Sequence, residues 1–273
     1  GNSLPKFLTS IDCIDLNPDI RFAPGEFIVI AGRPAMGKTQ LLVQFAACMS
    51  QSIPVLYHSF DLNAEGLVNR LLRFFTELSG NIIQNANEYP EKIKEIVHAI
   101  DKIKNLQLTI NENAALHLHH IIEYSKRQIE TNGVQVIMID YLQLMGGINH
   151  RYREQEIGFI TRELKTLARE FNVCIIASSQ LSRAVESRAG DKRPVLSDLR
   201  ESGSIEQEAD KVFAIYRPEY YGFSEDSSGK TTKSIAELLL LKNRNGPCCE
   251  LKVKIDENFT RFRDFDSQEK IER

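Results

Sequence analysis

Eight residues, Gly32-Arg33-Pro34-Ala35-Met36-Gly37-Lys38-Thr39, constrain this chain more than any others. They spell G-x-x-x-x-G-K-T between two patterned runs. Phe27 to Ala31 is apolar throughout and reads as a buried strand, and Gln40 to Met49 reads as a helix. A glycine-rich turn between strand and helix aims backbone N–H groups at an anion, and the positive end of the helix dipole adds to the attraction. Within that turn Lys38 can reach the β- and γ-phosphates of a nucleotide, and the Thr39 hydroxyl is placed to ligate Mg²⁺. The cofactor-binding expectation covers Gly32 through Thr39 and extends to Gln40. A strand, phosphate loop and helix in this order also commit the chain to an α/β fold.

Strand-like and helix-like runs alternate through the rest of the sequence, the pattern of a parallel sheet with helices on both faces. Val55 to Phe60 is a second short β run. Asn63 then caps a helix carrying Leu67, Leu71, Phe74, Phe75 and Leu78 at helical spacing. A helix is expected from about Glu88 to Lys104, a strand from Leu106 to Ile110, and a helix from about Leu116 to Thr131, stopped by Gly133. Val134 to Asp140 is a strand ending in an acid. Arg153 to Asn172 is an amphipathic helix, and Val173 to Ser179 is a buried strand ending at Gln180. Leu181 to Gly203 is polar, holds Gly190 and Pro194, and reads as a long functional loop. The last strands are Lys211 to Arg217, Ser234 to Asn243 and Cys248 to Asp256, with Asn245-Gly246-Pro247 turning the final pair into an antiparallel hairpin.

A length of 273 residues accommodates one large α/β domain. The expected division is a lead-in over 1–21, the nucleotide-binding domain over 22–265 and a polar tail over 266–273. The formal charge of −3 rules out a strongly basic nucleic-acid coat and leaves room for a local basic channel. The five cysteines form no C-x-x-C pair, which fits reduced thiols in a cytoplasmic protein. No stretch approaches the ~18–20 apolar residues needed to cross a bilayer, so no membrane partner is expected. The chain does not start with Met, so Gly1-Asn2-Ser3 are read as extraneous and upstream sequence as missing.

Several polar positions at strand ends carry chemistry. Asp140 closes an apolar strand and can hold Mg²⁺ through water, or it simply opens a turn. Asp61 is the acid at the end of the second strand and can orient the attacking water. Gln180 can touch the γ-phosphate with its amide and report the nucleotide state to the loop that follows, or it caps a turn. Lys242 and Arg244 flank Asn243 and project to the same side of a strand. They are a solvated edge in a monomer, and in a ring they can enter a neighbour's active site. The loop Ser197 to Ile205 offers Arg200 and backbone amides to a phosphate of single-stranded nucleic acid. Alternatively Ser204 and Gln207 make an ordinary capping box there. His117, His119 and His120 cluster without an accompanying acid or cysteine pattern, so no zinc site is expected.

Together these motifs resemble the C-terminal ATPase domain of the DnaB-type replicative helicases. The matching residues are Gly32 to Thr39, Ile139-Asp140-Tyr141-Leu142-Gln143-Leu144, Ser179-Gln180-Leu181-Ser182-Arg183, Ser197 to Ala209, and Lys242-Asn243-Arg244-Asn245-Gly246-Pro247. The resemblance runs over roughly Phe22 to Phe262. It implies a RecA-like P-loop NTPase fold, with a mostly parallel twisted sheet, helices on both faces and a C-terminal antiparallel hairpin. It also implies a DNA helicase motor that assembles as a homo-hexamer around single-stranded DNA, hydrolyses ATP with Mg²⁺ and moves 5′ to 3′, with a primase and a helicase loader as partners. It places Lys38 and Thr39 on nucleotide and Mg²⁺, Asp140 on Mg²⁺, Gln180 as phosphate sensor and Lys242 with Arg244 as the trans-acting pair. Arg200, Glu201 and Gly203 fall in the DNA-facing loop, and Arg217 near the base.

The sequence departs from that family twice. Its members carry an N-terminal helical domain and a linker helix, and this chain begins too close to the ATPase core for either. It is expected to be a domain of a longer protein or a stand-alone relative with a weaker ring. The family also has Glu where Asp61 stands, so hydrolysis is expected to be slow. Two other functions fit the residues: a RecA-like ATPase that remodels protein or nucleic acid without unwinding, and a nucleotide-gated assembly module with little hydrolysis.

Overall fold

Alternating apolar residues on the strand that precedes the phosphate loop divide the interior into two cores. Ile28 and Ile30 of β1 (Phe27–Gly32) face one side of the sheet, and Phe27, Val29 and Ala31 face the other, with all six positions of the strand buried. A strand buried on both faces must be covered by helices on both. On the first side lie α1 (Asp12–Asp15), α2 (Lys38–Met49) and α3 (Ala64–Thr76). On the second lie α6 (Leu118–Asn132), α7 (Arg153–Glu170) and α9 (Gly203–Glu208). The computed structural model describes residues 7–112, 117–146, 152–199, 203–226, 228–256 and 258–265.

The remaining strands are β2 (Val55–Ser59), β3 (Leu108–Asn111), β4 (Val136–Asp140), β5 (Cys174–Gln180), β6 (Lys211–Tyr216), β7 (Ile235–Asn243), β8 (Cys249–Ile255) and β9 (Phe262–Asp264). They form one sheet in the order β3-β2-β4-β5-β1-β6-β7-β8-β9. All pairs from β3 to β6 are parallel, and β7, β8 and β9 add on antiparallel. The α/β reading with a C-terminal hairpin is therefore what the chain builds. β1 sits in the interior of the parallel part, so its phosphate loop opens between neighbours whose own ends are polar.

Local signals behave as their chemistry requires. The Asn63 side chain accepts from Gly66 N–H at 2.9 Å and starts α3. Gly133, at φ 65°, stops α6. The helix expected from Glu88 is shorter. 3₁₀ turns at Ala86–Glu88 and Pro90–Lys92 precede α5 (Ile93–Lys104), because Pro90 removes a donor and keeps Tyr89, at φ −126° and ψ 65°, out of the helical region. The sequence pattern does not announce α1, α4 (Gly80–Gln84) or β9, all too short to show a period. The polar stretch after Gln180 also contains α8 (Ala184–Ser187) and a 3₁₀ turn at Leu196–Asp198. Ser204 lies inside α9 rather than at its cap, and its buried hydroxyl has no partner among the described residues. All five cysteines are free thiols.

Candidate active site

The sheet register brings the polar strand ends together. Gly32 pairs with Gln180, and Asp140 pairs with Ser59, so the ends of β1, β5, β4 and β2 line up at one edge of the sheet. A cavity of about 300 Å³ opens there, bordered by the phosphate loop and by Asp61, Asp140 and Gln180. From the loop and the first turn of α2, Pro34, Ala35, Gly37, Lys38, Thr39 and Gln40 border it.

Gly37 is the hinge of the loop. It takes φ 99° and caps α2 without any side-chain hydrogen bond, leaving the first-turn amides of the helix to face the cavity. A Cβ at Gly37 would come within 2.9 Å of the Phe262 ring and 3.1 Å of the Phe259 ring. Gly37→Ala combines that clash with a backbone conformation only glycine adopts easily. It should destabilise the fold by about 1–3 kcal/mol, read as a lowered chemical-denaturation midpoint. An unchanged midpoint would show that the aromatic pair yields freely.

Lys38 is buried, and its ammonium donates to the carbonyls of Gly32 (2.9 Å) and Arg33 (3.0 Å). Burial lowers its pKa to about 8, with Asp140 and Asp61 pulling the other way and Arg33 adding to the fall. Asp140 is 2 % exposed and accepts from the Ser178 hydroxyl at 2.5 Å and from the Tyr57 hydroxyl at 3.2 Å. Burial, then the Asp140 charge, pushes the Tyr57 phenol well above its usual range, so Tyr57 remains a donor. Asp61 stands exposed at the rim, two residues past β2. Its turn is anchored by the Ser59 hydroxyl donating to Leu62 O (2.6 Å) and by Phe60 N–H donating to Asp140 O (3.0 Å).

Three cavity residues escaped the sequence reading: Arg70, Tyr141 and Phe259. Arg70 lies on α3 beside the buried Leu67 and Leu71, where a cation at the edge of an apolar stripe was the available signal. Phe259 reaches the cavity from the chain between β8 and β9, which nothing local foretells. It carries Arg217, whose guanidinium centre lies 4.1 Å from the ring centroid and which donates to Ala35 O at 3.3 Å. The side chain of Gln40 fixes the same segment by donating to Thr260 O at 2.5 Å.

Some expected contacts turn elsewhere. The Arg33 guanidinium points away from the cavity, with Nε on Glu186 (2.8 Å) and Nη1 on Leu181 O (2.8 Å). A carboxylate and a carbonyl across the strand ends satisfy it better than the cavity, where Lys38 already stands. Met36 is buried in the apolar core, and Gly32 contributes its carbonyl to Lys38 rather than bordering the cavity.

A family model described as the DnaB-like helicase C terminal domain matches residues 14–264. The chain belongs to this DnaB-like family. It is 39% identical over 249 residues to a probable replicative DNA helicase of Trieres chinensis, covering 89% of this chain and 54% of that protein. It is 38% identical to the replicative DNA helicase DnaB of Mycoplasma genitalium, over 88% of this chain and 52% of that one. The chain thus spans about half the length of these curated relatives. Among solved structures, a DnaB-like replicative helicase described with its interactions with primase superposes with TM-score 0.87 at 32% identity, covering 95% of this chain and 62% of that one. Another, of an ATPase domain, gives TM-score 0.86 at 32% identity over 96% of this chain and 91% of that one.

The DnaB-like motif at Lys242 and Arg244 lies far from the cavity. β7 runs antiparallel to β6 and ends where β6 begins, with Lys211 paired to Asn243 and Ile28 paired to Lys211. Lys242 donates to the carbonyls of Glu206 and Gln207, the latter at 3.2 Å. Arg244 donates to Gln207 O at 2.9 Å and pairs with Asp210 at 3.3 Å. Of the expected DNA-facing residues, Gly203 opens α9 and is exposed, while Arg200 and Glu201 lie outside the described residues. Among the described residues no group of three His, Cys, Asp or Glu could hold a metal, and no helix is long and apolar enough to cross a membrane.

Proposed function

We propose that this chain is the ATPase motor of a replicative DNA helicase, hydrolysing ATP between subunits of a hexameric ring to move along single-stranded DNA and unwind duplex. The observation that carries the reading is a division of labour. Lys38, Thr39, Asp61, Asp140 and Gln180 converge on one cavity, while Lys242 and Arg244 stand at the opposite end of the sheet. On this reading one subunit holds the nucleotide, and its Lys242 and Arg244 complete the site of a neighbour rather than its own.

The donor set fits Mg²⁺. One hydroxyl and one buried, hydrogen-bonded carboxylate suit a small dication that keeps most of its water and shares phosphate oxygens. Thr39 would hold it directly and Asp140 through water, and it would supply charge neutralisation on the β- and γ-phosphates. The α2 amides and Lys38 then bind the phosphates, and Lys38 stays pinned by two carbonyls until the negative charge arrives. Asp61, at the rim, orients the attacking water and draws off its proton. Gln180 contacts the γ-phosphate and passes its presence to the loop leading into α8. Arg70 adds a cation on the α3 side, and Arg217 with Phe259 offers a flat, charged surface to the base.

Single-stranded DNA enters this reading through the loop before α9, and primase and a loader enter by analogy with the DnaB-like relatives, in the cytoplasm. The test is ATP turnover with and without single-stranded DNA, combined with oligomer mass and strand displacement on a forked duplex. Stimulated turnover with displacement is expected, whereas stimulated turnover without displacement would indicate a remodelling ATPase. The short Asp61 side chain favours a third reading, a nucleotide-gated assembly module. Asp61→Glu restores a reach of ~1.5 Å, and because ~1 Å of misplacement can cost ~10²-fold, turnover in the assembled ring should rise about tenfold or more. No gain, or a loss, would sink the shortened-base account.

A further inference from the structure

Gln143 has no role in the chemistry above, yet every polar function of its side chain is spent on one place. It sits in the 3₁₀ turn Leu142–Leu144 that follows Asp140. Its Oε1 accepts from the backbone N–H of Gln180 at 3.1 Å, and its Nε2 donates to the Ser179 hydroxyl at 2.8 Å and to the Gln180 carbonyl at 3.3 Å. The β4–β5 ladder ends at Ile139 and Ala177, so the side-chain amide continues it by imitating a strand where the backbone has turned away.

The other flank of the same residue is held as firmly. Gly32 pairs with Gln180, Leu181 N–H donates to Gly32 O at 3.3 Å, and Arg33 donates to Leu181 O at 2.8 Å. Gln143 is itself fixed from below, since Arg153, at the start of α7, donates to its carbonyl and to that of Met145, each at 2.8 Å. The backbone at 180–181 is therefore pinned from both sides, while the side chain of Gln180 borders the cavity beside Tyr141, to which it is hydrogen-bonded.

We propose that Gln143 is the positioning residue of the γ-phosphate sensor, holding the Gln180 backbone so that its amide meets the phosphate at a fixed distance. The inference rests on the reading of Gln180 as sensor. Only an amide serves, because one planar group must accept from one backbone N–H and donate to its carbonyl. A glutamate of the same shape cannot donate, and its charge would face the Gln180 carbonyl.

The experiment measures kcat and KM for ATP in the intact protein, with and without single-stranded DNA. The variants are Gln143→Glu, Gln143→Met, Gln180→Ala and Gln143→Glu combined with Gln180→Ala. Gln143→Glu and Gln143→Met should each lower DNA-stimulated kcat about tenfold or more, as expected for sub-ångström misplacement, with KM within about twofold. Gln143→Glu should cost nothing further once Gln180 is Ala, because a residue acting through another loses its effect when that other is gone. Retained stimulation in the two single Gln143 variants would overturn the proposal, and so would losses that multiply in full in the double variant. If Gln180→Ala alone keeps full stimulation, the sensor reading falls and this inference with it. Met keeps the fold testable should the buried charge of Glu unfold it.

Discussion

Lys38→Ala should reduce ATP turnover at least about 10³-fold, the order lost with a preorganised electrostatic group aimed at developing charge. The geometry makes this group hard to replace. Its ammonium is buried, held by the carbonyls of Gly32 and Arg33, and its stem packs so closely that a Cβ on Gly32 would lie 3.3 Å from the Lys38 Cγ. Lys38→Arg should therefore fail almost as badly, since a planar fork cannot occupy a cradle shaped for a compact ammonium. The lowered pKa, about 8, gives the prediction a second readout. Between that value and the ordinary 10.5 the unfolded chain binds more protons than the folded one, so the ligand-free fold gains stability as pH rises through this window. Phosphates reverse the balance by favouring the ammonium. Nucleotide affinity should be flat below about pH 8 and fall by up to about tenfold per unit above it, as binding must then take up a proton. Calorimetric titrations in buffers of different ionisation enthalpy should show that uptake, and Lys38→Ala should lack it. Affinity that stays level to pH 9.5 would mean that Lys38 is not desolvated in solution.

The parts of this site readable in the sequence are those made within one strand and the turn after it. The phosphate loop is a local pattern, and its strand, left-handed glycine and helix form as Phe27 to Met49 require. Asp61, Asp140 and Gln180 were legible as polar residues near the ends of apolar strands, because a buried parallel strand tolerates polarity only where it leaves the core. Their meeting at one nucleotide was an expectation from their places at strand ends and from the family resemblance, but the β2-β4-β5-β1 neighbour order that brings them together rests on pairings between residues far apart in sequence and was not legible. The same limit hid Phe259 and the grip of Gln143 on Gln180. Arg33 shows a different limit. The motif fixes the course of its backbone and says nothing of its side chain, which the partners Glu186 and Leu181 decide. Short elements such as α4 and β9 are held by the contacts of neighbouring elements rather than by any period of their own.

Arg244→Ala should cost turnover on the scale of an arginine finger, about 10³-fold or more, although the residue lies nowhere near the cavity of its own subunit. β1 alone runs from Ile28, level with Lys211, to Gly32, about 13 Å of strand at ~3.3 Å per residue. Asn243 is level with Lys211 and Arg244 follows it, so no rotamer of Arg244 spans that distance to Lys38 in the same chain. Within its own subunit it and Lys242 hold the last carbonyls of α9, and Asp210 shares its charge. The carbonyl contacts are exposed and weak, and buried Asp210 keeps Lys165 and the Phe27 N–H as partners without Arg244, so Arg244→Ala should leave the melting temperature within a few degrees of the parent, separating a catalytic loss from a structural one. Mixing supplies the decisive readout. Arg244→Ala and Lys38→Ala subunits are each inactive alone, but a mixed ring contains interfaces at which an intact Lys38 meets an intact Arg244. With random assembly these are about one quarter of all interfaces, and turnover should recover toward that fraction. A cation acting within its own subunit would allow no recovery at any ratio, because every subunit of the mixture lacks one member of the pair.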